Sequence, residues 1–247
     1  MDKNFASESG HWYRPDGAPA YTTTGSNGKE RPTTLRDARK VGLVPSVTMI
    51  CNVASKPALE IWKQKQILLA ALTLPRRDGE SEDDFAVRAI QDSKEQSRTR
   101  AEEGSAIHGS IEKAISGKYY DAKHAVFVQP VLAVIKKYSD GWSAEKSFAS
   151  DLGYGGKVDA HAPGYVIDFK TKEFGEADDR LAWPEQAMQL GAYRDGLGMG
   201  SAACANVFIS VSSPGLIKVH EWSEDALILG FEKFLCLLNY WKLDKGV

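Results

Sequence analysis

GYGGKVDAHAPGYVIDFKTK, residues 153–172, is the stretch whose reading decides the fold. Residues 154–161 and 165–171 alternate as strands do, and Pro163-Gly164 between them is a turn pair, so a β-hairpin is predicted. Successive strand side chains point to opposite faces, which puts Asp168 and Lys170 on one face and Phe169 on the other, toward a core. Asp159 lies near the end of the first strand, so the hairpin can gather two carboxylates and one amine at a sheet edge. Carboxylates held that close repel each other unless a cation joins them, and Mg²⁺ or Mn²⁺ suits hard oxygen donors. Such an ion activates bound water and neutralises charge developing on a phosphodiester, with a lysine to orient the water. An isolated Asp-x-Lys triplet is also the pattern of a surface ion pair worth little, so its surroundings decide.

Working outward, WSAEKSFAS at 142–150 reads as a third strand and carries Glu145, whose direction depends on register. Downstream, a helix is predicted over about 182–197, entered at Trp183-Pro184-Glu185. An apolar strand at 204–212 follows, then a shorter one at 216–222 after Pro214-Gly215, and a last helix at about 223–242. Upstream, helical spacing covers the stretch after Pro57 up to 74, then about 84–116 with Gly117 as its stop, and 122–139. Helices, three strands, a helix, two strands and a helix predict an α/β domain with a mixed central sheet flanked by helices.

The 247 residues suffice for one large domain or one domain with an added lobe. A formal net charge of -2 excludes a globally basic nucleic-acid binder, so any such partner must meet a local basic surface or a metal. Cys51, Cys204 and Cys236 are odd in number and far apart, which fits buried free thiols and no disulfide framework. The N-terminus has no apolar signal segment, and no apolar run reaches the length of a membrane span, so no membrane partner and a cytoplasmic location are expected. Residues 1–40 are rich in Gly, Pro, Ser and Thr and read as a flexible arm, with Trp12, Tyr13 and Arg14 as candidate nucleic-acid contacts or a solvated tail. GSNGKE at 25–30 lacks the Ser or Thr and the preceding strand that a phosphate loop requires. Residues 76–84, RRDGESEDD, read as a solvated charged loop.

The hairpin, with VIDFKT at 166–171, resembles the PD-(D/E)XK nuclease superfamily, in particular its RecB-type exonuclease branch. Two more marks of that branch are similar here: Gly104-x-x-x-His108 within AEEGSAIHGSIEKAI at 101–115, and Gln189-x-x-x-Tyr193 in QLGAY at 189–193. The order His108, Asp159, Asp168-x-Lys170, Gln189-x-x-x-Tyr193 is specific where each piece alone is weak. VPSVTMI at 44–50 and LEIWK at 59–63 are more weakly similar to phage and mitochondrial genome-maintenance exonucleases of the branch.

The resemblance implies a restriction-endonuclease-like core at 100–247 with a helical lobe at 41–99, together one nuclease domain. It implies that Asp159, Asp168, the Phe169 carbonyl and His108 bind Mg²⁺ or Mn²⁺, and that Lys170 positions the attacking water. Gln189 then holds Lys170, the water or the phosphate, and Tyr193 supports the helix or touches the strand. Glu145 and Glu112 are candidate supports, and Arg98, Arg100 and Lys172 candidate DNA contacts. Relatives with an iron–sulfur cluster carry four suitably spaced cysteines, so no cluster is expected here. The implied activity is metal-dependent hydrolysis of DNA from its ends, single-stranded or duplex, in recombination, replication or degradation. If phage-encoded, the chain works in the host cytoplasm. A homo-oligomer and a single-strand annealing or replication partner are compatible with that activity. The alternatives are a structure- or sequence-specific endonuclease and a silent DNA-binding module on the same fold.

Overall fold

The structure, a computed structural model, describes residues 11–246. In chain order the elements are β1 (Trp12–Tyr13), β2 (Thr22–Thr24), β3 (Glu30–Pro32), α1 (Leu35–Val41), β4 (Val44–Pro45), α2 (Val47–Cys51), α3 (Pro57–Thr73), α4 (Glu82–Ile115) and α5 (Ala125–Ile135). There follow β5 (Ser143–Ser150), β6 (Tyr154–Ala162), β7 (Tyr165–Lys172), α6 (Pro184–Gly196), β8 (Ala203–Ser210), β9 (Ile217–Trp222) and α7 (Glu224–Lys245). The elements predicted from residue 57 onward are present, with ends moved by a few residues.

A five-stranded mixed sheet runs β5-β6-β7-β8-β9, with helices packed on it. All pairs are antiparallel except β7 and β8, which are parallel. A parallel joint needs a crossover, and α6 supplies it. The crossover therefore carries Gln189 and Tyr193 back over the strand that carries Asp168 and Lys170. Residues 163–164 turn the hairpin, with Gly164 at φ +79°, a left-handed conformation that glycine adopts without strain.

The chain divides into two compact units. The larger comprises residues 11–54 and 110–246. Residues 1–10 of the expected arm lie outside the described residues, but 11–40 do not form a solvated arm. Trp12 and Tyr13 are buried, and Trp12 meets Trp241 of α7 with ring centroids 6.1 Å apart. Thr34 and Asp37 form a capping box that starts α1, and Gly42, at φ +68°, ends it. Val47, Ile50 and Cys51 of α2 belong to the same apolar core as Tyr154, Leu190 and Phe234. The polar composition hid this because β1 has two residues and is buried by partners from distant parts of the chain.

The second unit is Ser55–Gly109, so the helical lobe begins about 14 residues later than its expected start at 41 and runs past 99. In it, Arg88 grips Glu80 through two hydrogen bonds of 2.8 and 2.7 Å and also donates to the Pro75 carbonyl. The charged loop at 76–84 is thus pinned at one point. Cys51 and Cys204 are buried free thiols, as expected, whereas Cys236 is exposed on α7.

α6 and α7 pack closely through glycines. A Cβ on Gly230 would lie 2.7 Å from the backbone carbonyl carbon of Ala187, and one on Gly191 would lie 2.9 Å from the Leu227 carbonyl oxygen. Backbone cannot move aside as a flexible side chain can. Gly230→Ala is expected to destabilise the protein by about 1–3 kcal/mol, the usual cost of overpacking, despite alanine's better helix propensity. Denaturant unfolding checks this; a variant as stable as the parent removes the close α6–α7 contact from the account.

Candidate active site

The antiparallel ladder between β6 and β7 ends at Ala160↔Ile167. In the same register Asp159 would next face Asp168, and there the strands stop pairing. The Phe169 N–H, turned toward β6, instead donates to the Asp159 carboxylate at 2.8 Å. On the other side β7 stays paired with β8, Asp168 opposite Asn206 and Lys170 opposite Phe208. The site is therefore a notch in the sheet, open on one side and rigid on the other.

Asp168 is almost fully buried. Its Oδ2 is 2.6 Å from the Lys170 ammonium, on the same strand face, and accepts from Asn206 Nδ2 at 2.8 Å. The Lys170 ammonium also donates to Gln189 Oε1 at 3.3 Å, and Gln189 Nε2 donates to the Tyr193 hydroxyl at 2.8 Å. Gln189 and Tyr193, one helical turn apart on α6, thus act as a strut behind the lysine. Burial by itself would lower the Lys170 pKa, but the Asp168 and Asp159 carboxylates outweigh it and hold the ammonium above its ordinary value. Asp159 is pushed up to about 7, first by burial and then by the Asp168 charge. Burial and the same two carboxylates hold the Tyr193 phenol far above its ordinary value, so it stays neutral.

Glu145 sits where the β5–β6 ladder skips a pair, between Ala144↔Ala160 and Lys146↔Val158. Its φ is +53°, the left-handed region that a non-glycine residue avoids, so local backbone strain is held there. Its carboxylate pairs with Lys157 of β6, two residues before Asp159. Glu112, in the last turns of α4, neighbours that pair; burial and then the Glu145 charge raise its carboxyl above the ordinary range.

His108 lies on α4 in the Ser55–Gly109 unit, half-buried. Arg98 and Arg100 lie on the same helix and are exposed, and Arg98 pairs with Glu95 at 2.5 Å and Glu102 at 3.8 Å. The Lys172 amine donates to the Leu181 carbonyl at 2.7 Å and sits over the Phe208 ring, so it braces the loop before α6. Trp12 and Tyr13 are core residues and offer no face to a nucleic acid. Sequence reading missed Asn206. One signal was available: an asparagine inside an otherwise apolar strand needs a polar partner.

The donor set suits a divalent cation. Asp159 and Asp168 offer carboxylate oxygens in a place that resists carrying both charges, as the raised pKa of Asp159 shows. In an extended strand the N–H and C=O of one residue point to the same side, so the Phe169 carbonyl also turns toward Asp159. Among the described residues no three His, Cys, Asp or Glu side chains form a complete cage. Mg²⁺ needs none, since it is held by one or two carboxylates with water and substrate phosphate completing its shell.

No protein-family model matches the chain, and no curated protein does. Solved structures are similar in part, among them the following three. A protein of Eubacterium rectale proposed to be an exonuclease is 12% identical, over 55% of this chain and 67% of that one, with a TM-score of 0.38. An alkaline exonuclease of Laribacter hongkongensis, LHK-Exo, is 14% identical over 56% and 79%, with a TM-score of 0.36. The structure of SSO0001 is 16% identical over 73% and 86%, with a TM-score of 0.34. No described helix is long and apolar enough to cross a membrane.

Proposed function

We propose that the protein is a metal-dependent nuclease that hydrolyses DNA phosphodiester bonds from ends. The observation that carries this reading is the notch itself: Asp159 and Asp168 converge where two strands part, with Lys170 braced against Asp168 and Gln189. Asp159, Asp168 and the Phe169 carbonyl would hold Mg²⁺ or Mn²⁺, which supplies Lewis acidity and an activated water when bound. Lys170 orients the attacking water and places positive charge beside the phosphate oxygens as negative charge builds on them. Gln189, held by Tyr193, keeps the lysine from rotating away. The half-buried notch keeps bulk water from screening these charges. His108 as a further metal ligand is carried by the sequence resemblance, as is the recombination, replication or degradation role of a phage-type enzyme.

The test is digestion of end-labelled linear DNA beside a closed circle, with Mg²⁺, with Mn²⁺ and with EDTA. Metal-dependent loss of the linear substrate alone is expected, and the label reports polarity. Cutting of the circle moves the reading to an endonuclease. Inertness toward both substrates with either metal overturns the DNA nuclease reading.

A further inference from the structure

Asp168 is held from a direction that the nuclease reading does not use. Behind it, on the neighbouring strand, Asn206 of β8 is fully buried and donates from Nδ2 to the Asp168 carboxylate at 2.8 Å. The other end of the same amide, Oδ1, accepts from the Trp222 indole N–H of β9 at 2.8 Å. An indole nitrogen is a donor only, so it dictates which end of the amide faces it. With Oδ1 claimed by Trp222, Nδ2 must point at Asp168. The amide cannot flip without setting two donors against each other on one side and two acceptors on the other, around a fully buried side chain. Strand register supports the same line. Asp168 pairs with Asn206 in the parallel ladder, and Cys204↔Trp222 and Asn206↔His220 fix β9 against β8. His220 in turn packs edge-on against the Trp222 ring, centroids 4.4 Å apart.

We propose that Asn206, oriented by Trp222, is a positioning residue that fixes the rotamer of Asp168 and so presents its carboxylate to the metal. The inference rests on the reading of Asp168 as a metal ligand. Lys170 contacts Asp168 from the site side, where its ammonium serves water and phosphate and a bound cation competes with it for the same carboxylate oxygen. It cannot also be the fixed brace. Asn206 can, because it is buried in the sheet and nothing in the reaction asks it to move. A hydrogen-bond donor that orients a metal-binding carboxylate from outside is worth about 10- to 100-fold in metal affinity.

The experiment measures Mn²⁺ affinity by calorimetry on the full chain, together with the thermal midpoint, for the parent, Asn206→Ala, Trp222→Phe and Asp168→Ala. Asn206→Ala is expected to weaken Mn²⁺ binding by about 10- to 100-fold. Trp222→Phe keeps the ring packing and the asparagine but frees the amide to flip, so it is expected to weaken binding by a smaller factor. It also carries the test should Asn206→Ala fail to fold. Asp168→Ala is expected to abolish binding. If Asp168→Ala abolishes binding while both other variants bind Mn²⁺ as the parent does, Asn206 is only a core residue and the inference is overturned, whatever happens to the thermal midpoint. If Asp168→Ala binds Mn²⁺ normally, the metal-site reading itself has failed.

Discussion

Lys170→Ala is expected to lower turnover of linear DNA by about 100- to 1,000-fold, the usual loss when one charge-stabilising donor is removed from a hydrolytic site. The folded state should survive the change. Asp168 keeps its hydrogen bond from Asn206, and Gln189 keeps Tyr193. Mn²⁺ affinity should stay level or rise, since a cation competing for the Asp168 carboxylate has gone. Loss of turnover with metal binding intact separates a residue acting on water and phosphate from one acting on the metal. Lys170→Arg is not a conservative rescue here: the planar guanidinium cannot occupy the compact place between Asp168 Oδ2 and Gln189 Oε1. Turnover within about threefold of the parent for Lys170→Ala, measured beside a metal-binding titration, removes Lys170 from the chemistry, against the magnitude expected of such a donor.

Asp159→Asn is expected to abolish metal-dependent cleavage and, without metal, to stabilise the protein. The sign follows from the direction of the shift. The folded-state pKa of Asp159, about 7, lies above the ordinary carboxylate value of 3.8. Below the lower value both folded and unfolded chains carry the proton. Between the two values the folded chain holds a proton that the unfolded chain has released, so stability falls as pH rises. Above about 7 the penalty is complete. Asparagine cannot ionise, and its carbonyl can still accept from the Phe169 N–H. The advantage of the variant should therefore grow from about pH 4 to about pH 7 and then level off. Each kcal/mol corresponds to about 2–4 °C in the thermal midpoint of a chain this size. Added Mn²⁺ should reverse the order, raising the midpoint of the parent and leaving that of the variant unmoved. Thermal melts across pH, with EDTA and with Mn²⁺, make the comparison. A variant no more stable than the parent at pH 8 in EDTA shows that the two carboxylates do not oppose each other.

The stability given up at Asp159 and the strain at Glu145 lie at one place, the point where β6 loses its pairing on either side. Glu145 opposes Asp159 across the β5–β6 register, and Asp168 would oppose it across β6–β7. There the Phe169 N–H, left without a partner on β6 backbone, is taken up by the Asp159 carboxylate.

How much of this was legible depends on how local each feature is. Alternation within five residues of one strand placed Asp168 and Lys170 on a common face, and the Lys170–Asp168 contact of 2.6 Å agrees with it. The i, i+4 spacing of a helix placed Gln189 beside Tyr193, and they touch. The mixed sheet flanked by helices followed from the order of short periodic segments, because each period is set by backbone geometry that the residues themselves impose. Two things only the tertiary structure decided. One is the fate of residues 11–40, whose polar composition reads as an arm but whose few large side chains, Trp12 above all, find a core that includes α7 at the far end of the chain. The other is the partnership of Asp168 with Asn206, 38 residues away, and of Asn206 with Trp222. Contacts of that kind depend on the register between strands, which is fixed by packing across the whole sheet and leaves no periodic trace in either segment.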